Sequence, residues 1–302
     1  MSLFDVIIPT FQNPDTLKKC LEGFSLQTFS DFRILLCIDG NPRQVNNYLM
    51  GSTFPFDIIP LQHKQGTRQG PNATRNLALP HVQSEYLLLF DSDCIPTPEL
   101  MEQHYRILDK SDCFSLGELV YQNSRTNILA DYVQSRGKNK CIDQQVLPYK
   151  YVTSQNLALK REYFVQIGGQ DVDIKSYGGD IEFGFRLGKN FSLPLIYNKK
   201  ASSYAVWDKD MDTMLEQMRE FGSITLPYLK QKYPDLRQVF RVDLITARGF
   251  RRLLTRVIIN KTIARFFRKL LPRTPGAMSR MMIHYLFFQS IMEGYDSFRK
   301  KW

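Results

Sequence analysis

The sequence predicts an α/β protein built on a doubly wound, mainly parallel sheet and followed by a helical C-terminal segment. Three observations predict it. Strand and helix signals alternate through the first hundred residues, as successive βαβ units require. Polar residues recur at the carboxyl ends of the strand signals, where sheets of this kind bind ligands. Charge is divided unevenly along the chain. Residues 241–302 carry 14 Lys and Arg against three acids, a net +11, whereas the preceding 240 residues carry 26 against 27, a net −1.

Each element follows from its own pattern. FDVIIPT reads as a buried strand, and PDTLKKCLEGFSLQ as an amphipathic helix with Leu17, Cys20, Leu21 and Phe24 on one face and Pro14 near its start. FRILLCIDG is a second strand, stopped by Asp39-Gly40, and FDIIPL a short third. GPNATRNLAL opens a helix behind Gly70-Pro71, and EYLLLFD is a fourth strand. PELMEQHYRIL reads as a helix and FSLGELVY as a strand, while residues 121–150 are polar and read as loop or irregular helix. YVTSQNLALKREYFVQIGG gives a strand or turn, a helix and a Gly-Gly stop, and the signals are helical from residue 211. The expected organisation is a domain over 1–210, with halves of about 1–97 and 98–210, and a basic helical region over 211–302.

Composition narrows the class. Hydrophobic residues make up 43% and aromatics 13% of 302 residues, ample for a core. Five cysteines, Cys20, Cys37, Cys94, Cys113 and Cys141, form no C-x-x-C pair, which argues against a disulfide framework or zinc site and for a reducing compartment. A strand begins almost at once, so no signal peptide is expected. No apolar run approaches the length of a membrane span.

The most pointed stretch is LLLFDSDC at 87–94, an apolar run that ends in two acids one residue apart. Alternate side chains of a strand share a face, so Asp91 and Asp93 are expected to point the same way. Two convergent carboxylates suit Mg²⁺ or Mn²⁺, which take a few carboxylates plus substrate phosphates. Thr10-Phe11, Asp39 and Asp91-Ser92-Asp93 all fall at strand ends, so several polar groups converge on one rim.

Five ordered blocks carry a resemblance: VIIPTF, SLQTFSDFRILLCIDGN, GPNATRN, DSD, and SQNLALKREYFVQIGGQD followed by YGGDIEFGFRL. Over roughly residues 4–210 the chain resembles the family 2 glycosyltransferases of the GT-A fold, inverting enzymes that use nucleotide sugars. The resemblance implies a nucleotide-sugar donor, UDP-linked, and a saccharide or lipid-linked saccharide acceptor. It implies that Pro9 and Thr10 supply a turn and a backbone contact to the nucleotide, that Phe11 stacks on the base, and that Asp39 reads the uracil imide. It implies that Arg75 reads the base or approaches the phosphates. It further implies that Asp91, with Ser92 beside it, contacts the ribose or the metal shell, and that Asp93 ligates Mn²⁺ or Mg²⁺. The resemblance makes Asp180 the candidate general base, with Glu182 as runner-up; an ordinary N-cap competes for the carboxylate of Asp180.

The chain departs from the family pattern in places. Ile38 stands where one acid is expected, Gly179 replaces a glutamate before Asp180, and ASSYAVWD lacks the histidine that completes the metal shell in many relatives, leaving Asp208 as a substitute. A nucleotidyltransferase is the alternative enzyme class, disfavoured because the loop after the first strand, Pro9 to Asn13, has no glycine. A degenerate transferase serving as a binding module is the non-enzymatic alternative.

In residues 241–273 Phe250, Leu253, Leu254, Val257, Ile258, Ala264, Phe267, Leu270 and Leu271 recur at helical spacing between Arg248, Arg252, Arg256, Arg265, Arg268 and Lys269. This pattern suits basic amphipathic helices lying on an anionic membrane surface; the plainer alternative is a packed helical subdomain whose arginines are solvated. No base-reading motif accompanies the arginines, so nucleic acid is not an expected partner. The expected location is cytoplasmic, peripheral on the inner face of the membrane.

Overall fold

The computed structural model describes residues 2–64, 66–236, 244–247, 249–274 and 276–301. Arg248, one of the arginines of the basic pattern, lies outside the described residues. The chain divides into two compact units. The first contains residues 1–122, 137–175 and 179–206, and the second 123–136, 176–178 and 207–302.

The first unit is a nine-stranded sheet flanked by helices. Strand β1 (Phe4–Phe11) pairs in parallel with β2 (Phe32–Asp39) and with β4 (Tyr86–Phe90), and β2 pairs in parallel with β3 (Ile58–Gln62). Beyond β4 the sheet is mixed. β8 (Asn156–Lys160) runs antiparallel to both β4 and β6 (Phe114–Tyr121), whereas β6 and the long β9 (Leu195–Ala205) are parallel. The two-residue strands β5 (Ile95–Pro96) and β7 (Val146–Leu147) pair antiparallel with β9. Helix crossovers join the parallel strands. α1 (Pro14–Phe24) starts where the Asn13 side chain accepts the Thr16 N–H at 3.3 Å, with Pro14 at its first turn, and it buries Leu17, Cys20, Leu21 and Phe24. α2 (Arg43–Met50) follows β2, α3 (Pro71–Arg75) precedes β4, and α4 (Leu100–Leu108), α6 (Arg161–Gln166) and α7 (Gly179–Asn190) complete the layers. The core between sheet and helices holds Ile7, Leu35, Leu87, Leu89, Phe114, Leu157, Phe164 and Phe183.

The sequence pattern left two helices unmarked. α2 buries only Val45, so it carries too few apolar positions to show a helical period. α5 (Ile128–Gln134) lies inside the stretch read as loop or irregular helix, with no position assigned to it; Asn127 caps it, its side chain accepting the N–H groups of Leu129 and Ala130 at 2.9 and 3.1 Å.

The second unit is helical. It contains α5, α8 (Met211–Glu220), a π-helical segment Phe221–Thr225, α9 (Leu226–Lys232), α10 (Gly249–Ile258), α11 (Lys261–Leu270) and α12 (Gly276–Lys301). Its core is Leu129 and Tyr132 of α5, Met214, Leu215 and Met218 of α8, and Met282, Ile283 and Leu286 of α12. Arg280 of α12 makes a forked pair with Asp131 of α5, both contacts at 2.8 Å. Among the described residues no helix is long and apolar enough to cross a membrane.

Candidate active site

The parallel register sets Phe11 beside Asp39 at the tips of β1 and β2. Since β1 and β4 also run in parallel, the residues after Phe90 emerge at the same end of the sheet. Asp39 is buried, and its two oxygens accept the backbone N–H groups of Gln69 and Gly70 at 2.7 and 3.1 Å. This draws the loop before α3 over the strand tips. Arg68 in that loop lays its guanidinium over the Phe11 ring, 4.5 Å from the centroid, and Phe11 remains 37% exposed. Gly40, at φ +77°, turns the chain after Asp39; a Cβ there would stand 3.2 Å from the Phe11 ring. Pro9 is half-buried. Thr10 is buried, and its Oγ1 has no hydrogen-bond partner among the described residues, nor has Nε of the buried Arg75. Such orphaned polar atoms are groups that a polar ligand would satisfy.

The two acids of the D-S-D run do not share a strand face. β4 stops at Phe90, and Asp91 to Asp93 form the turn beyond it, so strand alternation does not apply. Asp91 turns inward and accepts from Arg75 Nη2; Asp93 is exposed and Ser92 is half-buried. Burial pushes the Asp91 carboxyl above its ordinary range, Arg75 opposes that, and the negative charges of Asp93 and Asp180 add to it. Asp91 and Asp180 are therefore electrostatically coupled.

Asp180 is the second residue of α7, so it is not the residue that caps the helix. Its Oδ1 accepts instead from the backbone N–H of Ser154 at 3.1 Å and from the Ser154 hydroxyl. Lys138, from the turn at Gly137–Lys140, donates to Gly117 O at 2.6 Å. Burial lowers its ammonium to about 8, against the raising influence of Glu118, Cys94 and Asp180. Glu182 is excluded as a base by its surroundings. It is fully buried, and its oxygens accept from Arg186 at 2.5 and 2.9 Å, an arginine that also holds Ile167 O and Gly169 O. Sequence reasoning missed Arg68, Lys138, Ser154 and Gln170, the last of which donates to the Ser154 hydroxyl at 2.5 Å. Arg68 and Lys138 lie outside the five blocks, and Ser154 and Gln170 stand near the two ends of one block without a feature that singles them out.

The site thus combines an aromatic face, cations suited to a diphosphate, and carboxylates of two kinds, one exposed and one held by donors. The model of the family described as "Glycosyl transferase family 2" matches residues 5–168, more than half of the chain. The chain belongs to glycosyl transferase family 2. This transferase is 27% identical over 93 residues to the GalNAc(5)-diNAcBac-PP-undecaprenol beta-1,3-glucosyltransferase of Campylobacter jejuni, a match covering 31% of the chain and 30% of that relative. It is 21% identical over 176 residues to an uncharacterized glycosyltransferase of Haemophilus influenzae, covering 58% of each. The matches therefore span less than two thirds of either relative. Among solved structures, S. aureus TarS 1–349 superimposes with a TM-score of 0.57 at 16% identity, over 100% of this chain and 92% of that one. The mannosyltransferase PcManGT of Pyrobaculum calidifontis, in complex with GDP-Man and Mn²⁺, superimposes with a TM-score of 0.64 at 14% identity, over 98% and 88%. The transferase accordingly has the GT-A fold, extended by C-terminal helices.

Its residues fit a divalent cation in one way. Among the described residues no three His, Cys, Asp or Glu side chains converge as a cage. Asp91 is already engaged by Arg75, and Asp93 is exposed. That donor set matches a cation held by one or two carboxylates whose remaining positions go to substrate phosphates and water. Asp208 falls in the second unit and is exposed.

Proposed function

We propose that this transferase moves a sugar from a nucleotide-sugar donor, a UDP-sugar, to a saccharide or lipid-linked saccharide acceptor by direct displacement with inversion. The observation that carries the reading is the convergence at one sheet end of Phe11, Asp39 and the Arg75–Asp91 pair with Asp180, whose charge Asp91 feels. Phe11 offers the base a stacking face beside Asp39, and the orphaned Thr10 Oγ1 and Pro9 line the nucleotide. Arg75, Asp91 and Ser92 face the ribose and diphosphate. Asp93, with diphosphate oxygens, would hold Mn²⁺ or Mg²⁺, which supplies charge neutralisation on the leaving group. The acceptor hydroxyl gives its proton to Asp180 as its oxygen bonds to the anomeric carbon. The bond from that carbon to the diphosphate oxygen breaks, and the electron pair leaves with the nucleotide.

Support for the donor comes from TarS, solved with UDP-GlcNAc, and from PcManGT with GDP-Man and Mn²⁺. Support for a lipid-linked acceptor comes from the named substrate of the Campylobacter relative. We assign donor recognition to residues 1–97, acceptor recognition to 98–210, and attachment to an anionic membrane surface to residues 241–302 of the basic helical region, on the inner face of the cytoplasmic membrane. The facing of α10 supports attachment. Phe250, Leu253, Leu254, Val257 and Ile258 are 47–72% exposed, while Thr255 is the buried residue of this helix. Arg252 and Arg256 turn inward to Asp296 of α12, the former at 2.8 Å. The packed subdomain with solvated arginines is thus reversed on this helix.

The test is a pair of substitutions assayed with nucleotide sugars. Asp180→Asn is expected to leave UDP binding intact and to lower transfer on the order of 10²- to 10⁴-fold. Asp93→Ala is expected to weaken Mn²⁺-dependent UDP binding measured by calorimetry. Transfer at wild-type rates by both variants would remove the site assignment.

A further inference from the structure

Five polar side chains of the first unit form one unbroken hydrogen-bonded path, and the chemistry of each fixes the direction of the next. Asp91 accepts from Arg75 Nη2, and Arg75 Nη1 donates to Gln170 Oε1 at 3.1 Å. Gln170 Nε2 donates to Ser154 Oγ at 2.5 Å, and Ser154 Oγ meets Asp180 Oδ1. A guanidinium only donates, so the carbonyl oxygen of Gln170 must face Arg75 and its amide nitrogen must face Ser154. The Ser154 oxygen is then an acceptor, and its single proton goes to Asp180. The Ser154 backbone N–H adds a second donor to the same carboxylate oxygen at 3.1 Å. Both bonds end on Oδ1, and none to Oδ2 is present among the described residues.

The path is sheltered and braced. Ser154, Gln170 and Arg75 are 0%, 2% and 6% exposed, so water does not compete for these groups. The backbone of Gln170 is clasped on both sides by Asn76, whose Oδ1 accepts its N–H at 2.8 Å and whose Nδ2 donates to its carbonyl at 2.7 Å. Asn76 directly follows Arg75, so the residue that holds Gln170 is covalently tied to the one Gln170 reads.

We propose that Gln170 and Ser154 are positioning residues for Asp180: they hold Oδ1 with fixed donors and leave Oδ2 to take the proton of the acceptor hydroxyl. This rests on the reading of Asp180 as the base. The path also joins that base to Asp91 and Arg75 on the donor side, so the two half-sites share one rigid polar frame. Asp180 exchanges charge interactions with Asp91 from the turn after β4 and with Lys138 from the turn at 137–140.

Serine supplies a proton to the ionised carboxylate, so its loss raises the pH at which the base becomes competent. Ser154→Ala is expected to move the acid limb of kcat/KM upward by about one pH unit, the effect of one charge-assisted hydrogen bond. Ser154→Thr, which keeps the hydroxyl, is expected to restore the wild-type limb. Gln170→Glu accepts from both Arg75 and the Ser154 hydroxyl, which pulls the proton from Asp180, and is expected to shift the limb in the same direction. Thermal unfolding verifies that each variant is folded, and calorimetry with UDP is expected to give an unchanged Kd for Ser154→Ala. Wild-type acid limbs in Ser154→Ala and Gln170→Glu, with Asp180→Asn inactive, would overturn the positioning roles and leave the base standing. Wild-type transfer by Asp180→Asn would overturn both.

Discussion

His104 shows how much a single side chain reports of the sheet around it. Its Nε2 faces Asn156 Oδ1 at 2.8 Å and its Nδ1 faces Ser115 Oγ at 2.9 Å, with no exposure to solvent. Asn156 spends its amide nitrogen on Glu118 O and Ala201 O, so its oxygen must accept and Nε2 carries the imidazole proton. Burial pushes the ring down to about 4. The unfolded chain binds a proton near pH 6.5 that the folded chain refuses until about pH 4, so stability falls as pH drops through that window. The loss amounts to about 3 kcal/mol at the lower end. Denaturant titrations between pH 7.5 and 4.5 are expected to show this slope in the wild type and to lose one proton of it in His104→Gln. At the same scale the candidate site was half legible in the sequence. Phe11, Asp39 and Asp91 stand out because each sits at or next to a strand end, whereas Arg75 and Asp180 are marked by the resemblance of their blocks. Their partners do not. Gln170 and Ser154 lie 16 residues apart and meet only through the fold. The common face expected of Asp91 and Asp93 failed because the strand ended one residue before the first acid.

Elements with a full apolar face or run, such as α1, β1, β2 and β4, are legible because burial forces the period into the sequence. α2 and α5 are held at one end or one face only, and β9 carries exposed polar residues through its middle, which dilutes the strand signal. Contact between elements is less legible still. α12 crosses α8 and the π-helical segment where two glycines meet the opposing backbone: a Cβ on Gly222 would stand 2.1 Å from Ile291 O, and one on Gly294 1.9 Å from Arg219 O. Neither carbonyl can give way as a flexible side chain does. Gly222→Ala or Gly294→Ala is expected to destabilise the helical unit by about 2 kcal/mol, read as a lower unfolding midpoint. Gly51→Ala, whose new Cβ finds nothing nearer than 3.8 Å, serves as the control.

Over the whole molecule the division of charge was plain from composition, and the helical unit that carries it takes in α5, which composition did not mark. What composition cannot give is facing. The same basic, apolar helix fits a packed subdomain or a lipid surface, and only contacts such as Arg252 with Asp296 tell which side is outward. Flotation of the full chain with vesicles rich in phosphatidylglycerol is expected to succeed and to fail with pure phosphatidylcholine. Leu253→Ser with Val257→Ser is expected to reduce it at least several-fold, since each removes apolar area from the outward face. Equal flotation of the double variant would exclude α10 as the docking face. The reversed facing of α10 also gives the protein two opposed responses to ionic strength. On the proposed attachment, salt screens the pull of exposed Arg251, Arg265, Lys269 and Arg273 on acidic headgroups, whereas excluded salts such as sulfate strengthen apolar contact. Dilute buffer is then expected to favour binding to acidic vesicles, and concentrated sulfate to favour copies clustering through the same five side chains, so oligomers collected during salting-out would describe the preparation.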